Sequence, residues 1–299
     1  MELNNIRSLR KLRSVVDRFE GVVDEETLGL LTLYALGEVE ARGVVRKVRL
    51  FFRKDCKALI EVELESQFEL KNFGLADSKL TSIRCTIALD GNMMEKASLI
   101  SPGSVVEFSG KFSGDLLKPE RLEVLKAKTV KLRGTVAANS GELFCLFTDS
   151  YCFCCYCIKG SVSPGTEVEV EGALAEREVI IVRRVVELEE NDEGILKYLN
   201  EKSNVFTPIG ELPESGRVCV SGRISGIGEL RKYRNSEYAS LHISDETGRV
   251  RLLLWNGLDV YRKADIGDRL EVFGGRVERS EKTGEKTLHC DEFTILRLC

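Results

Sequence analysis

The chain has 299 residues, 43% of them hydrophobic and 31% charged, with a formal net charge of -4. That length exceeds one small core and suffices for two or three domains. Five prolines and no long polar tract argue against disorder, no apolar run approaches the roughly 20 residues of a membrane helix, and the near-neutral balance means that an anionic partner is met locally.

Met1-Glu2-Leu3-Asn4 runs into basic, helix-like sequence rather than a secretory leader. The expectation is a cytoplasmic protein, without a membrane partner, whose ten cysteines are mostly reduced. Residues 1–38 read as an N-terminal helical segment. Ile6, Leu9, Leu12, Val16 and Phe19 recur at spacings of three and four. Asp24-Glu25-Glu26 then opens a second run through Leu28, Leu31 and Ala35, with acids where the helix dipole favours them and Gly37 at the end. Packing or dimerisation is the plain reading of this pair.

From residue 39 the period becomes that of strands. One phrase recurs three times: Pro102-Gly103 to Gly110, Pro164-Gly165 to Gly172, and Ile266-Gly267 to Gly274. Each is a turn, an alternating run and a glycine. Upstream of each lies a strand with an internal glycine: Gly43, Gly134 and Gly222. Downstream lies a last apolar strand: Leu122 to Leu125, Val179 to Val182, and Phe293 to Leu296. A repeated strand order means repeated domains. Five short strands per unit with bend-permitting glycines suit a small closed barrel. The units fall at 39–128, 129–190 and 205–299, with a polar connecting helix at 191–204 that carries Ile195, Leu196 and Leu199. The fold expected is mostly β: three tandem five-stranded barrels behind the N-terminal helices.

The barrels differ in charge. Residues 39–128 hold 16 Lys/Arg against 13 Asp/Glu, residues 129–190 hold 6 against 10, and residues 205–299 hold 15 of each. In the first unit Arg46, Lys47, Arg49, Arg53, Lys54 and Lys57 cluster beside Phe51 and Phe52, a second candidate for nucleic-acid contact, whereas Cys85, Ile87 and Leu89 are expected on its outer third-strand face. In the second unit Cys152 and Cys154 are expected on that face and Glu167, Glu169 and Glu171 on the outer face of the fourth strand. Such a surface repels phosphate and suits a spacer or a protein contact.

The third unit is different. In Arg249-Val250-Arg251-Leu252-Leu253-Leu254-Trp255, alternation gives Val250, Leu252 and Leu254 to a core and Arg249, Arg251 and Trp255 to the other face. Cations match phosphates and an indole matches the face of a base. One flanking loop brings Arg231, Lys232, Tyr233 and Arg234, and the other brings Arg279, Lys282 and Lys286. Phe273 is expected as an outward residue of the fourth strand. A lone tryptophan of this kind also suits a solvated strand with its ring folded over the core edge, and the charged loops also suit ordinary turns.

The third unit resembles the oligonucleotide/oligosaccharide-binding (OB) fold of the replication protein A and archaeal single-strand-binding family. The carrying residues are Phe206-Thr207-Pro208-Ile209-Gly210-Glu211-Leu212, Val218-Cys219-Val220-Ser221-Gly222-Arg223-Ile224, Leu241-His242-Ile243-Ser244-Asp245-Glu246-Thr247-Gly248, and Leu252-Leu253-Leu254-Trp255. The pattern covers about a third of the chain and also occurs in anticodon-binding domains. The resemblance implies single-stranded DNA as ligand, bound largely without regard to sequence, in replication, repair or recombination. Arg223 joins the candidate residues. Replication or repair proteins, an oligomer or a heteromeric complex are the implied partners. Single-stranded RNA and a subunit acting mainly through protein contacts are the alternatives.

Cys152, Cys154, Cys155 and Cys157 contain overlapping C-x-x-C spacings. On one strand they alternate faces and do not converge on a tetrahedral ion, so no metal is expected there and the thiols read as small buried residues. No cofactor is expected either. Two histidines, no phosphate-binding glycine loop, no nucleophile elbow and no H-E-x-x-H give catalysis no foothold, and no catalytic residue is named.

Overall fold

The computed structural model describes residues 38–52, 56–64, 84–113, 115–148, 151–158, 160, 162–188, 205–233, 236–281 and 283–299, together with Ser14 and Arg18, both helical. The rest of the N-terminal segment, the connecting helix expected at 191–204, Arg53, Lys54, Arg234 and Lys282 lie outside the described residues. By packing, the chain divides into two compact units, residues 1–129 with 173–176, and residues 130–172 with 177–299.

In the first unit, β1 (Glu38–Phe52), β2 (Cys56–Leu64), β3 (Arg84–Leu89), β4 (Val105–Ser113) and β5 (Leu116–Lys126) close a barrel in the order β1-β2-β3-β5-β4. The second unit repeats the circuit with β6 (Val130–Ser140), β7 (Leu143–Phe147), β8 (Cys152–Cys157), β9 (Glu167–Ala175) and β10 (Val179–Glu187). It repeats it again with β11 (Gly216–Ile227), β13 (Ser236–Ser244), β14 (Arg249–Leu254), β16 (Lys286–Cys290) and β15 (Arg269–Arg279). The third sheet also carries β12 (Arg231–Tyr233) on β13 and β17 (Ile295–Leu298) on β15. In each barrel the third and fifth strands pair in parallel. Mostly-β architecture built from three such barrels is therefore what the chain adopts.

The recurring phrase has a common physical origin. Gly103, Gly165 and Gly267 all sit at positive φ (88°, 92° and 99°), where glycine carries no steric cost. Their N–H groups donate to the carbonyls of Val45, Val136 and Ile224 at 2.7, 2.8 and 2.8 Å. Those three residues donate back to the carbonyls of Ser104, Thr166 and Asp268. Directly after each lies a β-bulge in the first strand, which bends the strand so that it joins both neighbours. Two residues earlier, a Cβ on Gly43 or Gly134 would fall 2.5 or 2.3 Å from a backbone oxygen of the adjacent strand. Close approach of backbones is what fixes glycine there.

Two sequence expectations need correcting. The fifth strand of the third barrel is β16, not Phe293 to Leu296. β15 runs on to Arg279 and turns tightly through Gly284 (φ 71°), so the last apolar run is a supernumerary strand. In the first barrel Cys85, Ile87 and Leu89 point inward and are buried, leaving Arg84, Thr86 and Ala88 outside. The cations around them are also engaged: Arg46 with Glu63, Lys47 with Glu61, Arg49 with Glu176 and Lys57 with Asp90. Cys145 and Cys152 form a disulfide and the other eight cysteines do not, in keeping with the expectation of mostly reduced thiols.

The middle barrel's β8 face is not open to solvent. Cys152 is buried in a cluster with Ala137, Ala138, Cys145, Val205, Cys219 and Phe273, and the buried Cys154 thiol donates to the Gly274 carbonyl of the third barrel at 3.8 Å. A second tie is the hydrogen bond from Arg217 to the middle barrel's Arg177 carbonyl. Arg217 on β11, with its side chain fully buried, pairs with Asp291 at 2.7 Å and donates to the carbonyls of Arg177 and Gly274, each at 2.6 Å. A buried guanidinium is tolerated because its donors are met.

Candidate nucleic-acid interface

The site is the outer face of β13 and β14. The turn Ser244-Asp245-Glu246-Thr247-Gly248 sets its register. The Asp245 carboxylate accepts from the N–H groups of Ile209, Thr247 and Gly248 at 2.8, 2.8 and 2.9 Å and from the Thr247 hydroxyl at 2.6 Å. Burial pushes the Asp245 carboxyl up, but these four bonds outweigh it and hold its pKa below the usual value. The pinned hairpin pairs Ser244 with Arg249, His242 with Arg251 and Ser240 with Leu253. Val250, Leu252 and Leu254 then enter the core with Ala239, Leu241 and Ile243, while Arg249, Arg251 and Trp255 stay exposed.

The same register brings Tyr238 beside Trp255. Their rings stack with centroids 4.7 Å apart and planes at 28°. Tyr233 meets Trp255 edge-on at 6.2 Å, because β12 folds back along β13 with Arg231 opposite Tyr238. The indole Nε1–H donates to Nδ1 of His289 at 3.2 Å, and His289 Nε2 lies 3.1 Å from Glu278 Oε2. Burial lowers the His289 pKa, with Glu278 pulling the other way. The imidazole is therefore neutral at pH 7, with its proton on Nε2 and a lone pair aimed at the indole. Trp255 remains 36% exposed, so the tower Tyr238–Trp255 is fixed at its base and open to solvent.

Cations border the aromatics. Among the described residues no carboxylate pairs with Arg249 or Arg251. The Arg249 guanidinium lies across Gly226, where a Cβ would come within 2.9 Å of Nη2. The His242 pKa is lowered by burial first, then by Arg249 and Arg251, which shows the positive field over this face. Arg223 lies at the end of the same row, opposite Ser244; it donates to the Gly267 carbonyl at 2.9 Å and lines an open groove with Arg269, Ser221 and Glu246.

The remaining expected residues fall elsewhere. Arg231 shares the Trp255 face, with Glu229 3.9 Å away. Lys232 points to the opposite face of the ribbon and pairs with Glu237 at 3.6 Å. Arg279 and Lys286 converge on Glu214, at 2.6 and 3.3 Å; hydrogen bonds from these two cations hold that carboxyl below its usual range. Phe273 is a correction. Both faces of β15 are covered around it, and its ring is 1% exposed, 5.4 Å from Phe206 and under the Arg297 guanidinium. The expectation overlooked the middle barrel packing on that strand. Tyr238 and His289 were missed. Tyr238 was accessible from the hairpin: a turn pairing 244 with 249 pairs 238 with 255.

Residues 218–296 match the family model described as OB-fold nucleic acid binding domain. Over 182 residues the chain is 26% identical to Replication factor A of Methanothermobacter thermautotrophicus, covering 58% of this chain and 22% of that relative's length. Two solved structures are similar in part. The solution structure of the replication Factor A related protein from Methanobacterium thermoautotrophicum is 22% identical with a TM-score of 0.29, over 31% of this chain and 90% of that one. RecG bound to a three-way DNA junction is 20% identical with a TM-score of 0.24, over 38% and 17%. The resemblance read from residues 205–299 thus recurs in the comparisons. Among the described residues no helix is long and apolar enough to cross a membrane.

Proposed function

We propose that this chain, a replication factor A-like protein with an OB-fold nucleic-acid-binding domain, binds single-stranded DNA on the β13–β14 face of its third barrel and protects exposed strands in replication, repair or recombination. One observation carries the reading: a stacked Tyr238–Trp255 pair, held from below by His289 and open above, beside two arginines that no acid neutralises among the described residues. A base extends the stack, and each such contact contributes roughly 1–3 kcal/mol whatever the base. The guanidinium groups follow the phosphates. The chain acts by binding, not by catalysis; the imidazole of His289 is committed to Trp255 and Glu278. The test is a titration of labelled single-stranded DNA, single-stranded RNA and duplex at two salt concentrations. Tight, salt-sensitive binding of the DNA strand is expected, with weaker binding of the duplex. Preference for the RNA strand would reassign the ligand, and no binding to any of the three would remove the reading.

The middle barrel supports a second, narrower reading. Its β8 face is already spent on a protein contact within the chain. A subunit that works mainly through protein contacts would tolerate loss of Trp255; a strand-binding protein would not.

A further inference from the structure

Strand binding makes no use of a cluster of sulfur atoms where the middle and third barrels meet. The Sγ atoms of Cys145 on β7, Cys152 on β8 and Cys219 on β11 all lie within 4.8 Å of one another and are buried. Cys219 Sγ stands 3.6 Å from Cys145 Sγ and 3.5 Å from Cys152 Sγ. In a tetrahedral thiolate site with zinc–sulfur bonds of about 2.3 Å, neighbouring sulfurs are about 3.8 Å apart. A fourth sulfur lies outside this group of three. Cys154 is two residues from Cys152, hence on the same face of β8, and is paired across the ladder with Cys145. A Cβ on Gly274 would fall 2.5 Å from Cys154 Sγ and 3.9 Å from Cys145 Sγ, so this glycine keeps open the space into which both sulfurs project.

The C-x-x-C spacings within 152–157 obscured this arrangement. Ligands on one strand diverge, whereas these come from three strands of two barrels. Plain apolar packing does not require sulfur at each of these points. Around the cluster, Ala137 and Ala138 take little volume. A metal ion displaces the proton of each thiol that it coordinates.

We propose that, when the Cys145–Cys152 bond is reduced, Cys145, Cys152 and Cys219 bind one zinc ion, with Cys154 in reach as the fourth ligand, and that this ion clamps the middle barrel to the third. A phosphine reductant opens the bond with one water, ending as the phosphine oxide and leaving two thiols. Zinc uptake then releases one proton per coordinating thiol.

The test uses the full chain, reduced with a phosphine, given zinc alone and dialysed. The expected result is one zinc per chain by elemental analysis, and cobalt in its place giving a thiolate-to-metal charge-transfer band. Cys219→Ala should lower zinc affinity at least tenfold with its circular dichroism retained, while Cys155→Ala, on the other face of β8, keeps it. X-ray absorption at the zinc edge on the wild type needs no variant to fold; three or four sulfurs at about 2.3 Å are expected. A reduced wild type that retains no zinc overturns the proposal. So does a shell of oxygen and nitrogen, or a folded Cys219→Ala that binds zinc as tightly as the wild type.

Discussion

Trp255 owes its position to residues distant in sequence. Asp245 fixes the hairpin, the hairpin sets Tyr238 under the indole, and His289 accepts the indole N–H from the neighbouring strand. Trp255→Ala should therefore weaken single-strand binding by roughly 1–3 kcal/mol while the barrel stays folded, because the ring lies outside the core. Tyr238→Ala should weaken it less, since it removes the support and leaves the platform. Fluorescence anisotropy with an oligo-dT ligand reads both; an unchanged affinity in a folded Trp255→Ala protein would take the indole out of the interface. The same geometry carries a pH dependence. Burial lowers the His289 pKa in the folded state, so the folded chain holds fewer protons than the unfolded one just below the ordinary histidine value. The stabilisation is complete above about 6.5 and is lost as pH falls toward the depressed value. Protonation fills Nδ1 and ends its bond to Trp255. Tryptophan emission should change over that window in the wild type, and a His289→Asn protein should show no such step.

At the level of elements, the strands were legible because alternation and positive-φ turns are local. Gly103, Gly165 and Gly267 mark their barrels from the sequence alone, and Val250, Leu252 and Leu254 declare their face. What was not legible depends on contacts that no local pattern encodes. Phe273 alternates correctly with its neighbours yet is covered, because the partner surface lies in another barrel. Cys85, Ile87 and Leu89 face opposite to the expected side, and Thr86 and Ala88 between them are small enough to suit either face. The contact that hid Phe273 makes its own prediction. Arg217→Met removes the cation and leaves Asp291 buried and unpaired, at a cost of about 3–5 kcal/mol. Chemical denaturation measures it. A loss below 1 kcal/mol would mean that water reaches Asp291 and the contact is looser than drawn.

For the whole molecule, a net charge of -4 coexists with a cationic face, so affinity for a polyanion rests on a few local groups. Each phosphate contact to a single strand contributes about -0.7 to the slope of log affinity against log salt. Arg249→Gln or Arg251→Gln should make that slope shallower by a fraction of a unit, equally on dT, dA and mixed strands, since phosphates carry no base information. Lys286→Gln should change it less, because Glu214 already neutralises that ammonium. Equal slopes for all three variants would put the phosphates elsewhere on the chain.

The covered β8 face has a consequence for occupancy. Three copies of one fold suggest a trivalent protein that lays a long stretch of strand across successive barrels. With the β8 face of the middle copy covered and the aromatic stack on β13 and β14, the proposed binding predicts the footprint of a single barrel, about 4–16 nucleotides. Lengthening an oligonucleotide beyond that span should add chains to the strand, one after another, rather than tighten the grip of the first.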